Sequence, residues 1–377
     1  MTRKNDLHPA TIAAHGGSIG DDIVPKIAMA TTYGRDTDYA LFDPANIYGR
    51  DNSDITRQCE DVLAQLEKAD AALLFPSGMA AIAAIFRALP SGATVVAQSG
   101  IYWGTTKWLR DFCSRRTVTL IEVDAADTAQ LGAAISTHKP QITFIETPSN
   151  PWLKTVDIAQ TAALTHAAGG LLVVDSTAAT PILSQPLTLG ADIVMHSATK
   201  AINGHSDVLA GVLATNAPDA PIWQAIAVDR HDAGAVINPL AAWLLLRGMR
   251  TLPLRVERMS ATALAFATHF AAHQKIETVY YPGLPNHAGH AVAAQQMTGG
   301  FGCLLSVLVR GDAADALRVA GRLQLFARAT SLGGVESLVE HRHTIEPHTG
   351  IPPNLLRLSI GIEHAGDLIA DMEQALG

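Results

Sequence analysis

The residues best suited to chemistry lie at His196-Ser197-Ala198-Thr199-Lys200, where an apolar run, Asp192-Ile193-Val194-Met195, delivers the chain to two hydroxyls and one lysine. Burial penalises an ammonium and favours the neutral amine, which attacks carbonyl carbon. Lys200 is therefore a Schiff-base candidate. On this stretch alone, a salt-bridged lysine at a strand end is the plainer alternative. The hydroxyls of Ser197 and Thr199 are suited to a phosphate.

Four other places offer matching chemistry. Ser77-Gly78-Met79 follows an apolar run and opens a helical stretch. A helix start presents free N–H groups to an anion, and Gly78 allows close backbone approach; a simple N-cap would use the same residues. Asp175 ends Leu171-Leu172-Val173-Val174. Ligands of open α/β sheets bind beyond such strand ends, and an acid there can keep a heterocyclic nitrogen protonated, or merely cap a turn. Arg357 sits inside Leu355-Leu356-Arg357-Leu358-Ser359. A guanidinium among apolar neighbours needs an anion, either a substrate carboxylate or a structural partner. Tyr102 can stack on a ring or pack in a core. His341, His343, Glu346 and His348 match no helical ligand pair and Pro347 interrupts them, so no metal site is expected.

The elements that must position these residues alternate. Apolar strand-like segments recur at 71–75, 94–97, 118–123, 142–146 and 171–175, with helical stretches between them. That pattern implies an α/β fold with a mostly parallel central sheet covered on both faces. Segments 192–197 and 208–214 have no full helix between them, so one is expected to run antiparallel. After Pro239 the pattern changes to a smaller C-terminal α+β domain. The expected division is an N-terminal arm over 1–50 without helical periodicity, a ligand-binding α/β domain over 51–240, and the α+β domain over 241–377. An irregular arm of that length needs a reason, and packing on a neighbouring subunit is one.

Composition narrows the class. The chain has 377 residues, 48% hydrophobic, with a net charge of −8 and no basic block, which argues against nucleic acid or an anionic membrane surface as partner. No G-x-G-x-x-G follows a strand, so a dinucleotide site is unsupported. Cys59, Cys113 and Cys303 form neither a disulfide framework nor a zinc pattern, as expected in a reducing compartment. The first twenty residues lack a signal-peptide core, and the apolar run at 235–249 is too short to span a bilayer. A cytoplasmic protein is expected.

Taken together, these motifs resemble the cystathionine γ-synthase, γ-lyase and β-lyase family of pyridoxal phosphate (PLP) enzymes. The resemblance spans nearly the whole chain. It is carried by Tyr48-Gly49-Arg50, Ser77-Gly78-Met79, Tyr102, Glu146-Thr147-Pro148-Ser149-Asn150-Pro151 and Asp175-Ser176-Thr177. Further along it rests on Ser197-Ala198-Thr199-Lys200, Gly204-His205-Ser206-Asp207, Ser331-Leu332-Gly333-Gly334 and Arg357-Leu358-Ser359. It implies the aspartate-aminotransferase-like PLP-dependent transferase fold, usually a homotetramer of two catalytic dimers. It also implies that Lys200 carries the cofactor and moves protons, with Tyr102 stacked on the ring and assisting proton transfer. Asp175 would meet the ring nitrogen, with Thr177 and Asn150 beside the cofactor, and Gly78, Met79, Ser197 and Thr199 would hold the phosphate. Tyr48 and Arg50 would reach the phosphate of the adjacent subunit. Asn150, Ser331 and Arg357 would bind an amino-acid substrate through its α-carboxylate.

The implied activity is elimination of a heteroatom group from Cγ, as in a cystathionine γ-lyase or γ-synthase. Cystathionine β-lyase chemistry, or γ-elimination from canavanine, methionine or an O-acylhomoserine, stays open. The γ-enzymes usually carry a glutamate just before Ser-Leu-Gly-Gly, and this chain has Thr330. It also departs at Trp103, at Gly104 where methionine γ-lyases have cysteine, and at Ala201 where tyrosine is common. Lys107 is left as a possible reader of a distal carboxylate.

Overall fold

The computed structural model describes residues 7–16 and 22–377. Its first part runs α1 (Pro9–His15), α2 (Asp54–Glu67), β1 (Ala71–Phe75), α3 (Gly78–Arg87), β2 (Thr94–Gln98), α4 (Trp103–Arg116) and β3 (Thr119–Val123). It continues with α5 (Thr128–His138), β4 (Ile142–Glu146), α6 (Ile158–Ala167), β5 (Leu171–Asp175), α7 (Thr180–Leu183), β6 (Ile193–His196) and β7 (Gly211–Thr215). Seven strands form one sheet in the order β1-β7-β6-β5-β4-β2-β3. β7 runs antiparallel to both neighbours, β1 and β6, and the remaining pairs are parallel. The link between β6 and β7 holds turns and no crossover helix, and the chain returns antiparallel.

Successive strand residues go to opposite faces, and both faces are filled. Val95, Phe144 and Val173 pack with Ile82, Ile85 and Phe86 of α3. Their neighbours Val96, Ile145 and Val174 pack with Leu131, Ile135 and Ile158 of α5 and α6. This two-sided burial makes the strands read as continuous apolar runs.

The second part comprises α8 (Pro221–Asp232), α9 (Pro239–Met249), α10 (Leu252–Phe270), β8 (Ile276–Tyr280), α11 (His290–Gln296), β9 (Leu304–Val309) and α12 (Ala313–Arg322). It ends with β10 (Ala327–Arg328), β11 (Leu338–His341), α13 (Arg342–Ile345), β12 (Leu355–Ser359) and α14 (Ala365–Leu376). Five strands make a second sheet, β10-β11-β12-β9-β8. One face buries Leu305, Val307, Leu356 and Leu358 against Phe266 and Phe270 of α10 and Leu368 and Met372 of α14. Alternation sends Arg357 to the other face, opposite Ser306 on β9 and Glu340 on β11. That face meets the first sheet's loops, where Ser306 Oγ donates to Pro151 O at 2.7 Å.

Two features differ from the sequence expectations. The arm carries a helix, α1, in which Pro9 sits in the first turn, His8 accepts from Ala10 N, and Ile12 and Ala13 are buried. Seven residues are too few to show a helical period. Helix α9 and the start of α10 pack with α2 in the first part's core, through Leu245, Leu246, Met249, Leu252 and Val256. Only from Ala263 onward does α10 enter the core of the second sheet. Near its start, Arg255 donates to Ala201 O at 2.7 Å, Ile202 O at 3.3 Å and Gly248 O at 2.8 Å. Its guanidinium fills the space beside Gly204, where an added Cβ would collide with it.

Candidate active site

The carboxyl ends of β4, β5 and β6 open into a cavity of about 510 Å³ that the second sheet's polar face closes. β4 and β5 deliver Glu146 and Asp175 as register partners, and the turn after β6 delivers Ser197, Thr199 and Lys200. Thr177 ties this edge together. Its hydroxyl and its amide both donate to Asp175 Oδ1, at 2.6 and 3.0 Å, and the hydroxyl accepts from Ser197 N at 2.8 Å. Both bonds to the acid use Oδ1, so Oδ2 is the oxygen available to a ligand. Burial pushes Asp175 upward; the two Thr177 bonds and the His196 ring, itself buried against Glu67, oppose the rise.

Glu146, quoted from the sequence only within a motif and given no role, organises this wall. It accepts from Tyr102 N at 3.0 Å and from Asn150 N at 2.6 Å, fixing two loops at once. Burial, then the Asp175 charge, pushes it up to about 8. Two buried carboxyls side by side cannot both ionise easily, and burial pushes both upward.

The start of α3 faces the same space. Ser77 caps the helix by accepting from Ala80 N, leaving the amides of Gly78 and Met79 without intrahelical acceptors. A Cβ on Gly78 would lie 2.8 Å from Ser197 Cβ, so only glycine permits the helix end and the hydroxyl loop to meet. Tyr102, at the start of α4, lines the cavity and folds back over Gly104, where a Cβ would come within 2.6 Å of its ring. Lys107 lies over the Trp103 ring at 5.6 Å and is not among the cavity-lining residues.

Lys200 Nζ donates to Ser331 Oγ at 3.0 Å. Its amine is pushed down to about 8, first by burial and then by the charges of Arg357 and Arg342, against a raising effect from Glu340. Ser331 has a positive φ of 90°, sparsely populated for a side-chain-bearing residue, and Gly333 presses on Ala201 N so closely that a Cβ would lie 2.5 Å away. On the second sheet Arg357, almost fully buried, pairs with Glu340 Oε2 and approaches Asn150 Oδ1 at 3.5 Å. Burial lowers it to about 10, still charged at neutral pH.

Of the residues singled out from the sequence, Gly78, Met79, Tyr102, Asn150, Asp175, Thr177, Ser197, Thr199, Lys200, Ser331 and Arg357 all line this one cavity. Tyr48 and Arg50 do not; they are exposed, with Arg50 over the Tyr48 ring and near His231 O. Glu340 and Arg342 line the cavity without having been anticipated. His341 and His343 instead tie α13 down: His341 contacts Thr344 Oγ1 and Pro353 O, each at 2.6 Å, and His343 contacts Ile351 O at 3.0 Å.

A buried, weakly basic lysine between an acid-bearing strand edge and a guanidinium is the arrangement of a pyridoxal enzyme, and comparison with known proteins agrees. The profile of the Cys/Met metabolism PLP-dependent enzymes matches residues 10–377. The chain belongs to this family. Cystathionine γ-synthase of Mycobacterium tuberculosis is 40% identical over 380 residues, covering 98% of this chain and 97% of the relative. Cystathionine γ-lyase of Dictyostelium discoideum is 37% identical over 389 residues, covering 100% and 99%. The structure of apo CalE6, a methionine γ-lyase from Micromonospora echinospora, matches with a TM-score of 0.92 at 38% identity, covering 98% of this chain and 99% of that one. As a member of the Cys/Met family the chain is a PLP-dependent enzyme, and the cradle that only Gly78 allows fits that cofactor's phosphate.

Proposed function

We propose that this enzyme eliminates a heteroatom group from Cγ of an L-amino acid, as a cystathionine γ-lyase or γ-synthase does. The observation that carries the reading is the amine of Lys200, buried, lowered to about 8, and set between the Asp175 edge and Arg357. When bound, PLP supplies an electron sink for the carbanion left at Cα. The Gly78 and Met79 amides and the Ser197 and Thr199 hydroxyls would hold the phosphate, Asp175 would keep the ring nitrogen protonated, and Tyr102 would meet the ring. Arg357, with Asn150 and Ser331, takes the α-carboxylate and turns the Cα–H bond toward Lys200. Lys200 removes that proton and, for a γ leaving group, a second from Cβ. Tyr102 assists proton transfer to the departing heteroatom.

The test is incubation with L-cystathionine and identification of the keto acid. 2-Oxobutanoate supports γ-cleavage; pyruvate replaces this reading with β-cleavage. A second reading, methionine or an O-acylhomoserine as substrate, is favoured by Thr330 and the apolar lining at Trp103 and Ile345, which offer a distal group no formal charge.

The assembly belongs to the same proposal. The arm exposes Ile23, Val24, Met29, Tyr39, Phe42 and Ile47, a set that suits packing on a second copy, and its Tyr48 and Arg50 are free to reach that copy's phosphate site. We place the chain as a tetramer of catalytic dimers, with the arm over 1–50 and domains over 51–240 and 241–377, the second lending α9 and the start of α10 to the first's core. No helix among the described residues is long and apolar enough to cross a membrane. The three free, buried thiols support a cytoplasmic location.

A further inference from the structure

Arg342 is the cavity-wall residue that the proposed mechanism leaves without a task. It follows β11 directly, and its side chain is only 4% exposed. Helix α13 is pinned over the cavity by the contacts of His341 and His343, which hold Arg342 and Ile345 against the lining.

A guanidinium kept only for structure would be matched by its partners, and this one is not. Arg342 Nη1 donates to Glu340 Oε2 at 2.9 Å, and the guanidinium also pairs with Glu346. Nη2 lies against Glu346, but Arg342 Nε makes no hydrogen bond, and Arg357 Nε makes none either. Glu340 serves both arginines through the single oxygen Oε2. Two forks thus share one acceptor atom at the cavity wall and keep buried donors unused. Leaving such donors unpaired is costly, and a carboxylate offers the two acceptor atoms that would satisfy them. The shared oxygen also keeps the guanidiniums close enough for one carboxylate to meet both.

Resting on the reading given above, we infer that Arg342 is a specificity-determining residue, the second half of a two-arginine clamp that Glu340 bridges and that recognises the substrate α-carboxylate. The clamp requires a free carboxylate, so amines and amides of the same side chain are rejected at this step. Glu340 orients both forks and acts through them.

Two small probes that react with the cofactor of the holoenzyme separate recognition from chemistry. Aminooxyacetate carries a carboxylate and methoxyamine does not; loss of the cofactor's visible absorbance gives a rate constant for each. Charge-assisted hydrogen bonds of this kind are worth roughly tenfold to a hundredfold. In Arg342→Gln the aminooxyacetate rate constant falls by that factor, the methoxyamine rate constant stays within about twofold, and Arg342→Lys recovers part of the loss. Because the substitution strands Glu346, the double variant Arg342→Met/Glu346→Gln restores charge balance and shows the same selectivity. Equal slowing of both probes, or of neither, overturns the inference. So does a fall in kcat/KM confined to O-succinyl-L-homoserine relative to O-acetyl-L-homoserine, which would make Arg342 a reader of the distal carboxylate. Wild-type enzyme that reacts with neither probe would instead overturn the cofactor assignment to Lys200.

Discussion

On the wall of the cavity made by the first sheet, the polar groups are short and anchored by backbone: Ser197, Thr177 and Asp175 sit at neighbouring strand ends, and backbone amides of Thr177 and Ser197 donate into the set. On the wall made by the second sheet they are long and anchored by charge. Arg357, Glu340, Arg342 and Glu346 balance one another across β11, β12 and α13. Backbone-held groups suit a cofactor that stays in place, since they are preorganised and cost little to order. A cluster of mutually neutralising ions suits a charged visitor, because its pairings can be exchanged for new ones. The difference assigns permanence to one wall and turnover to the other.

That contrast is easiest to break at its centre. Lys200→Ala is expected to lower turnover by roughly a thousandfold or more, given what a positioned base and nucleophile contribute. Borohydride followed by peptide mapping should label position 200 in the wild type; a variant keeping full turnover would end the mechanism. Arg357→Ala comes next, with kcat/KM down roughly a hundredfold or more and the cofactor still bound by absorbance. It also leaves Glu340 buried without its main partner, costing about 3–5 kcal/mol in denaturant unfolding. Loss of cofactor from this variant would mean the two walls are not divided as described.

Gly78→Ala probes the other wall. Its Cβ would push on Ser197, and overpacking of about 1–3 kcal/mol should weaken cofactor binding about tenfold, with substrate KM nearly unchanged in fully loaded enzyme. The smallest effect concerns pH. The Lys200 amine is lowered to about 8, and only its neutral form attacks the cofactor aldehyde. Reconstitution of apoenzyme should therefore quicken as pH rises toward 8, close to tenfold per unit below it, and level off above. A midpoint near the ordinary lysine value would mean the amine is not desolvated.

The two walls also differ in how far they could be read from residues alone. The first was legible because its groups are contiguous: a strand end, a turn and a helix start each bring their chemistry within a few positions, as at Ser77-Gly78-Met79 and Ser197 to Lys200. The role of Glu146 was missed because its effect is on the backbone of Tyr102 and Asn150, residues distant from it or across a turn. On the second wall only Arg357 stood out, as a charge inside an apolar strand. Glu340 needs the antiparallel register with β12 to reach it, and Arg342 needs the reversal after β11 to point inward. Neither is encoded by local spacing. Helix α1 escaped notice through brevity.

Helix α10 has a consequence for anyone recombining these sequences. Its early guanidinium, Arg255, fastens the carbonyls of the turn just past Lys200, while its later phenylalanines belong to the opposite lobe. A crossover placed between residues 240 and 254 would take the catalytic turn from one parent and its fastening from another. Such chimaeras keep an ordered lysine only when the incoming half brings an equivalent arginine, whatever the similarity of the two parents elsewhere.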